Sequence, residues 1–406
     1  MKAQKKPAGK TDKKYDVVIV GGGLAGLSLA CLLGRHDITV GCIDQADPKT
    51  KPKDLRTTAI SYGSRKVLER AGVWNHIQDA CPIKDIQILD GRSSVLLEFL
   101  SEQADEKDFG WIVDNHDLKT AMAAQLKTLK NVTHIAPMGV TGFEVEEDSG
   151  FVKLSDGSAV EARLIVGADG RSSFVRGFME EQYGMRTRQW SYHQRAVICM
   201  TEHEHPHNYA AVEHFWPEGP FAILPFTDDS KGVHRSAVVF TEHGPEKTSL
   251  MKMSDEEFEL ALAARFPEHY GDVKLSGTRA AYPLNLVHAE KYTAPRMVLV
   301  ADAAHGIHPI AGQGLNLGFR DLDCLDQLIE QALRTGEDIA SSAILKTYEQ
   351  KRRPDNMAMV AMTDGLNRLF SNASPTVSLL RKVGLKMVSR INPAKRFFMR
   401  QAMGDR

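Results

Sequence analysis

Apolar residues fall along this chain in two rhythms. The unbroken run Val17-Val18-Ile19-Val20 and the stretch Ile38-Thr39-Val40-Gly41-Cys42-Ile43 have the length and β-branching of strands covered on both faces. Between them, Leu24-Ala25-Gly26-Leu27-Ser28-Leu29-Ala30 opens a helix, so the chain begins as strand, glycine turn, helix, strand. The pattern then predicts a helix at about 64–71 and alternating strand-like segments over 83–100. Asn115 is placed to cap a helix through Leu118, Met122 and Leu126. Residues 152–154 and 159–166 flank Asp156-Gly157 and read as a hairpin, because Asp-Gly suits a primed turn. From about 187 to 283 the apolar positions come in short alternating segments, such as 196–200, 221–225 and 236–240. A strand at 297–300 then leads through a glycine-rich turn into helices over 315–333 and 342–370.

These elements imply an α/β fold: a Rossmann-like domain built from discontinuous segments, a β-rich domain inserted into it, and C-terminal helices. The expected boundaries are a disordered basic tail at 1–14, a nucleotide-binding domain from 15–75, 103–186 and 288–373, a β-rich substrate domain from 76–102 and 187–287, and a basic helical segment at 374–406. With 406 residues, 42% of them hydrophobic, the chain is long enough for two substantial cores. Its formal net charge of −1 excludes a dedicated nucleic-acid binder. The five cysteines, Cys31, Cys42, Cys81, Cys199 and Cys324, stand singly. That spacing favours a reducing compartment over a disulfide framework, and it offers no cysteine metal site. No run approaches the roughly 20 apolar residues of a spanning helix. The expectation is a cytoplasmic protein whose membrane contact is peripheral, on the inner face.

The chemistry-bearing residues gather at the turns. Gly21 allows the tight turn after the first strand, Gly23 lets backbone approach a pyrophosphate, and Gly26 lets helix pack on strand, with the N–H groups of Leu24 and Ala25 at the helix start. Asp44, about 20 residues further on, ends the second strand where a carboxylate accepts hydrogen bonds from a ribose diol. A second acid, Asp302, follows the strand at 297–300 and precedes the turn His305 to Gly318. There Asp302 can hold a sugar or ribityl hydroxyl, while backbone N–H groups at Gly312, Gln313, Gly314 and Leu315 face an anion. A third acid, in Gly167-Ala168-Asp169-Gly170-Arg171-Ser172-Ser173, ends another strand before a helix that either serine can cap.

Those three motifs in this order resemble the flavoprotein aromatic hydroxylases of the p-hydroxybenzoate hydroxylase fold. Within that superfamily, Asp54-Leu55-Arg56-Thr57-Thr58-Ala59-Ile60-Ser61, the run His305 to Gly318 and Thr363-Asp364-Gly365-Leu366-Asn367 are similar to the UbiH/UbiF/UbiI group, which hydroxylates the ring of ubiquinone precursors. The resemblance implies noncovalent FAD, NAD(P)H as co-substrate, O2, and a polyprenylated phenolic substrate oxidised through a flavin C4a-hydroperoxide, with no protein nucleophile. It implies that Gly21, Gly23, Gly26 and Asp44 hold the ADP half of FAD and that Arg56 lies near the flavin or pyrophosphate. Asp302 is implied to bind the ribityl or pyrophosphate region, and Asp169 to link flavin and NAD(P)H handling. Pro309, Gly312, Gln313, Gly314, Leu315 and Asn316 are implied to lie at the flavin, their backbone stabilising charge on its ring. One departure is visible: Ala301 stands where the family has glycine before the acid, adding a methyl group where backbone nears the cofactor.

Other residues read more plainly. His203, His205 and His207 lie among Glu202, Glu204 and Asn208 and suggest a solvated loop rather than a metal site. His305 and His308 read as packing beside the flavin loop, Tyr192 and His193 as β-domain packing, and the cysteines as small buried hydrophobes. Arg381, Lys382, Lys386, Arg390, Lys395, Arg396 and Arg400 are interleaved with Leu379, Val383, Met387, Phe397 and Phe398, a mixture suited to anionic lipid, to a protein of a quinone-biosynthesis complex, or to packing on the chain's own body. Two other functions use the same FAD motifs: a non-oxygenating flavin oxidoreductase of prenyl reductase type, and a weakly active flavin-bound subunit of a biosynthetic assembly.

Overall fold

The computed structural model describes residues 11–48, 50, 54–91, 97–103, 107–216, 219–243, 249–307, 312–370, 399–400 and 403–404. Its first sheet is built on the strand Thr11–Val20, whose Val17, Val18 and Ile19 are wholly buried. The parallel strands Val40–Ile43 and Val132–Ile135 follow on one side of it, and Ala159–Gly167 and Met297–Leu299 on the other. In chain order this is the 3-2-1-4-5 arrangement, in which the connection direction reverses at the first strand. The crevice for a ligand opens at the carboxyl ends of the strands on either side of that reversal. The hairpin forms as the Asp-Gly turn predicts, with Gly150–Leu154 antiparallel to Ala159–Gly167. The first strand starts at Thr11, pairing with Ala159, so the last four residues of the expected tail, 11–14, belong to the sheet.

The second sheet is also eight-stranded, but mostly antiparallel. Instead of short segments throughout, it contains a pair of adjacent 17-residue strands, Thr187–His203 and Val273–Ala289, toward one edge. A bulge between Ser191 and Gln194 puts His193 at φ +54° and interrupts the alternation that would have revealed their length. One face of the sheet, with Val197, Val212, Phe221 and Phe240, packs against Phe258 and Leu262 of the helix Asp255–Ala263. A small sheet of Thr57–Ser61, Gly110–Asp114 and Cys81–Ile83 joins the two large ones. The helices Gln313–Thr335 and Ser342–Phe370 lie close to their expected spans, and the first buries Phe319, Leu322, Leu325 and Ile329 in the core of the first sheet and Leu317 in a separate cluster with Ile307 and Met359. Among the described residues no helix is long and apolar enough to cross a membrane.

Candidate functional site

Four of the sequence's turns meet at the carboxyl edge of the parallel sheet: the glycine loop after Val20, Asp44 after Ile43, Asp169 after Gly167, and Asp302 after Leu299. The glycine loop is shaped by contact on three sides. Gly21 takes φ +109°, and a Cβ there would lie 2.5 Å from the Ala168 carbonyl oxygen. A Cβ on Gly26 would lie 1.8 Å from the Gly21 oxygen, so only glycine lets the helix Leu24–Leu33 sit this close to the strand. Gly22, which the spacing rule does not single out, is equally constrained, since a Cβ would meet the Asp44 carboxylate at 2.4 Å. Gly23 differs from all three. It is exposed, nothing stands within 4 Å of its missing Cβ, and as N-cap it supplies no side-chain hydrogen bond to the helix. Leu24 and Ala25 follow half-buried, their N–H groups in the first turn. Asp44 accepts the Ala46 N–H (3.1 Å) and lies 3.6 Å from the Lys119 ammonium.

The other two acids occupy different environments. Asp169 accepts the Ser173 hydroxyl at 2.5 Å and the N–H groups of Phe174 (2.7 Å) and Val175 (3.1 Å), so its oxygens are spent starting the helix Phe174–Tyr183. Burial pushes its carboxyl up despite those donors. Asp302 is 40% exposed and pairs with the Arg171 guanidinium at 3.1 Å. Arg171 also donates to the Asn285 and Ile307 carbonyls, and the buried Arg176 donates to the carbonyls of Ala303 and Arg171. These two arginines bind the second and third acidic turns to one another.

Ala301 takes φ +52°, a left-handed conformation that costs an L residue about 1–2 kcal/mol. Its methyl group is buried against the helix Gln313–Thr335, where Gly318 makes room: a Cβ there would lie 2.8 Å from that of Ala301. Beneath the turn, the wholly buried Asp321 accepts the Ala301 N–H (3.0 Å), His305 Nε2 (2.5 Å), Arg352 Nε (2.7 Å) and Asn356 Nδ2 (3.2 Å). Burial alone would raise this carboxyl, but His305 and Arg352 outweigh it and hold the group well below the usual carboxylate range.

The helix Gln313–Thr335 begins at Gly312 (φ +62°), again with no side-chain cap. Gly312 abuts Ala59, and the nearest neighbour to a Cβ on Gly314 would be Ile307 at 4.0 Å. Gln313 is buried and Leu315 half-buried against the first core. The buried Asn316 amide donates to the carbonyls of Ala59 and Gly312 and accepts the Ser61 N–H, fastening this helix start to the small sheet. Arg56 grips Asp54 through two 2.8 Å bonds, which hold its pKa above the usual guanidinium value, and it stacks 5.2 Å from the Tyr282 ring centre. It thereby spans from the small sheet to the long strand Val273–Ala289. Pro309 and His308 lie outside the described residues.

Several expectations are corrected. Asp114, not Asn115, caps the helix Asn115–Leu126, accepting the His116 N–H at 2.7 Å. The Asn115 side chain instead bonds Thr58 and Asp54, bracing the segment that carries Arg56. His203 and His207 are buried rather than solvated: His203 bridges the His205 carbonyl and the Ser236 hydroxyl, and His207 contacts the Phe226 carbonyl. Alternation hides this for His203, because Glu202 points away from it on the strand Thr187–His203, whereas His207 lies in the loop beyond that strand. Gly22, Lys119, Arg171, Arg176, Gly318, Asp321 and Arg352 support the site without any local signal, since their partners are distant in sequence.

The donor set suits a dinucleotide. Two helices begin at N-cap glycines that supply no side-chain cap, one beside a carboxylate suited to a ribose, and Gly23 leaves the space a phosphate would need. Residues 14–363 match the family described as "FAD binding domain". The "Ubiquinone hydroxylase UbiL" of Rhodospirillum rubrum is 42% identical over 98% of this chain and 91% of its own. The "3-demethoxyubiquinol 3-hydroxylase" of Escherichia coli is 31% identical over 97% of this chain and 100% of its own. Among solved structures, p-nitrophenol 4-monooxygenase PnpA from Pseudomonas putida superimposes with a TM-score of 0.77 at 19% identity, covering 97% of this chain and 100% of that one, a likeness of fold. The chain therefore belongs to the FAD-binding-domain family of flavoprotein monooxygenases and, within it, to the ubiquinone-biosynthesis hydroxylases.

Proposed function

We propose that this protein hydroxylates the aromatic ring of a polyprenylated ubiquinone precursor, using FAD, NAD(P)H and O2. The observation that carries the reading is the meeting of the glycine loop, Asp44 and Asp302 at one sheet edge, with the helix that starts at Gly312 packed on the Asp302 turn through Gly318, in a chain 42% identical to a ubiquinone hydroxylase. Bound FAD supplies the reduction and oxygen activation. The protein's part is to bind, orient and keep water out.

In this reading Asp44 takes the ribose diol, with Gly21, Gly23, Leu24, Ala25 and Gly26 forming the pyrophosphate cradle. Asp302 takes the ribityl chain. The helix start at Gly312, Gln313, Gly314 and Leu315 would stabilise negative charge on the flavin ring through its backbone N–H groups. Arg56, held by Asp54 and stacked on Tyr282, would lie near the flavin or pyrophosphate. Asp169 and Asn316 act indirectly, since their polar atoms hold the turns in place. A contact with an anionic membrane surface is the finer part of the proposal, supported by a substrate with a polyprenyl tail and by the basic, apolar sequence from 374 to 406.

The deciding experiment supplies the purified flavoprotein with NAD(P)H, O2 and a short-tailed phenolic precursor. A product heavier by one oxygen, labelled from 18O2, is the expected result. NAD(P)H oxidation with a reduced prenyl chain and no label would establish the reductase reading instead, and flavin without turnover would establish the subunit reading.

A further inference from the structure

We infer that Asp321 is a positioning residue for the cofactor-facing turn, holding Ala301 in a conformation that alanine resists, and that Gly318 provides the space without which an alanine could not stand there. The inference rests on the reading that Asp302 faces FAD, and it adds the parts that keep Asp302 in place.

The argument begins with backbone. At φ +52°, Ala301 lies where glycine is at ease and other residues are strained. A turn of this kind persists only when its surroundings over-determine it. Three contacts do so here. The Ala301 N–H is fixed by Asp321 Oδ2 at 3.0 Å. The strand just before the turn is tethered at Leu299, whose carbonyl accepts the buried Tyr348 hydroxyl at 3.0 Å. The Ala301 methyl fits against Gly318, where a second methyl would stand only 2.8 Å away.

Asp321 works as a clip because its two oxygens face different elements. Oδ2 holds the turn, through Ala301 and His305, and Oδ1 holds the helix Ser342–Phe370, through Arg352 and Asn356. Arg352 is itself fixed by Asp355 at 2.8 Å and Asn356 at 2.9 Å. A buried carboxylate with four donors is satisfied only in this one arrangement, so a shift of the turn leaves a donor unpaired. Asp302, the residue after Ala301, inherits its position from that arrangement.

The test compares Asp321→Asn, Gly318→Ala and each of these combined with Ala301→Gly, reading FAD dissociation constants by fluorescence titration of apo-protein and melting temperatures in parallel. Asp321→Asn should weaken FAD binding at least tenfold. Adding Ala301→Gly, which removes the need to enforce the turn, should recover threefold or more of that loss while leaving the melting temperature low, because Arg352 and His305 still lack their carboxylate. Gly318→Ala should weaken FAD about tenfold, and Ala301→Gly in the same chain should bring it back to within twofold of the parent. A parental dissociation constant in either single variant, or a loss that Ala301→Gly does not recover, overturns the inference. If Asp321→Asn does not fold, the Gly318–Ala301 pair decides alone in the same terms. A parent protein that binds no FAD would instead overturn the cofactor reading itself.

Discussion

At the scale of single residues, four glycines within six positions do different work, and only the structure separates them. Gly21, Gly22 and Gly26 are required by protein atoms already present, at 2.5, 2.4 and 1.8 Å from their missing Cβ atoms. Gly23 faces open space, so no neighbouring protein atom requires glycine there, and the proposed phosphate contact is what would. Gly21→Ala should therefore cost about 2–4 kcal/mol of fold stability through strain and collision. Gly23→Ala should leave the apo-protein's melting temperature within about 2 °C of the parent, yet weaken FAD by about tenfold or more, since the methyl occupies the phosphate approach. Parallel thermal melts and FAD titrations check the contrast, and equal losses of stability in both variants would refute it. The motif spacing made Gly21, Gly23, Gly26 and Asp44 legible in the sequence, because turn, helix and acid are local. Gly22 was not legible, because its constraint is a carboxylate 22 positions away. Asp321 was invisible for the same reason: an acid on an amphipathic helix reads as a solvated residue until its buried donors are seen.

At the scale of elements, the way each helix begins separates support from function. Ser61, Asp114, Ser173 and Ser254 place a side-chain oxygen on the backbone N–H groups of the helices they precede, and Ser254 does so within a capping box. At the helices after Gly23 and Gly312 the N-cap residue supplies no side-chain cap, the arrangement that suits an anion at a helix start. The sequence shows this difference as Gly against Ser or Asp, which is why the two helices proposed to face the cofactor can be singled out from it. What it could not show is how the Gly312 start is held, since Asn316 reaches back to Ala59 and Ser61, more than 250 residues earlier. Asn316→Ala removes the partner of one buried N–H and two carbonyls, and should destabilise the apo-protein by about 2–3 kcal/mol in denaturant titrations. FAD affinity should fall only through loosening of the helix start. A large loss of FAD affinity with unchanged apo stability would mean that the amide serves the cofactor directly.

At the scale of the whole molecule, most of the parallel sheet was legible from the apolar runs at 17–20, 38–43, 159–166 and 297–300, whereas Val132–Ile135, half-buried and half polar, gave no such run, and the second sheet's long strands were hidden by a bulge and by polar outer positions. The chain's end adds a constraint that composition does not reveal. Met399 and Met403 are buried in an apolar cluster with Ile83, Phe99, Phe109, Ile112 and Phe226, and the Gly404 carbonyl lies 2.4 Å from where a Cβ on Gly63 would stand. Deleting residues 376–406 would therefore remove core packing as well as basic charge, and loss of activity in such a variant could not be assigned to the membrane. Reversing charge at Lys382, Lys386 and Arg390 leaves those methionines in place and isolates electrostatics. Each basic group near an anionic surface contributes about 1 kcal/mol, so replacing all three by glutamate should lower binding to vesicles of anionic lipid by more than a hundredfold at low salt. Hydroxylation of a long-tailed substrate presented in those vesicles should slow accordingly, while a short-tailed substrate in solution should turn over at the parental rate with FAD fully retained. Unchanged vesicle cosedimentation by the folded triple variant would remove the membrane from the account and leave this sequence as part of the chain's own packing or a protein docking surface.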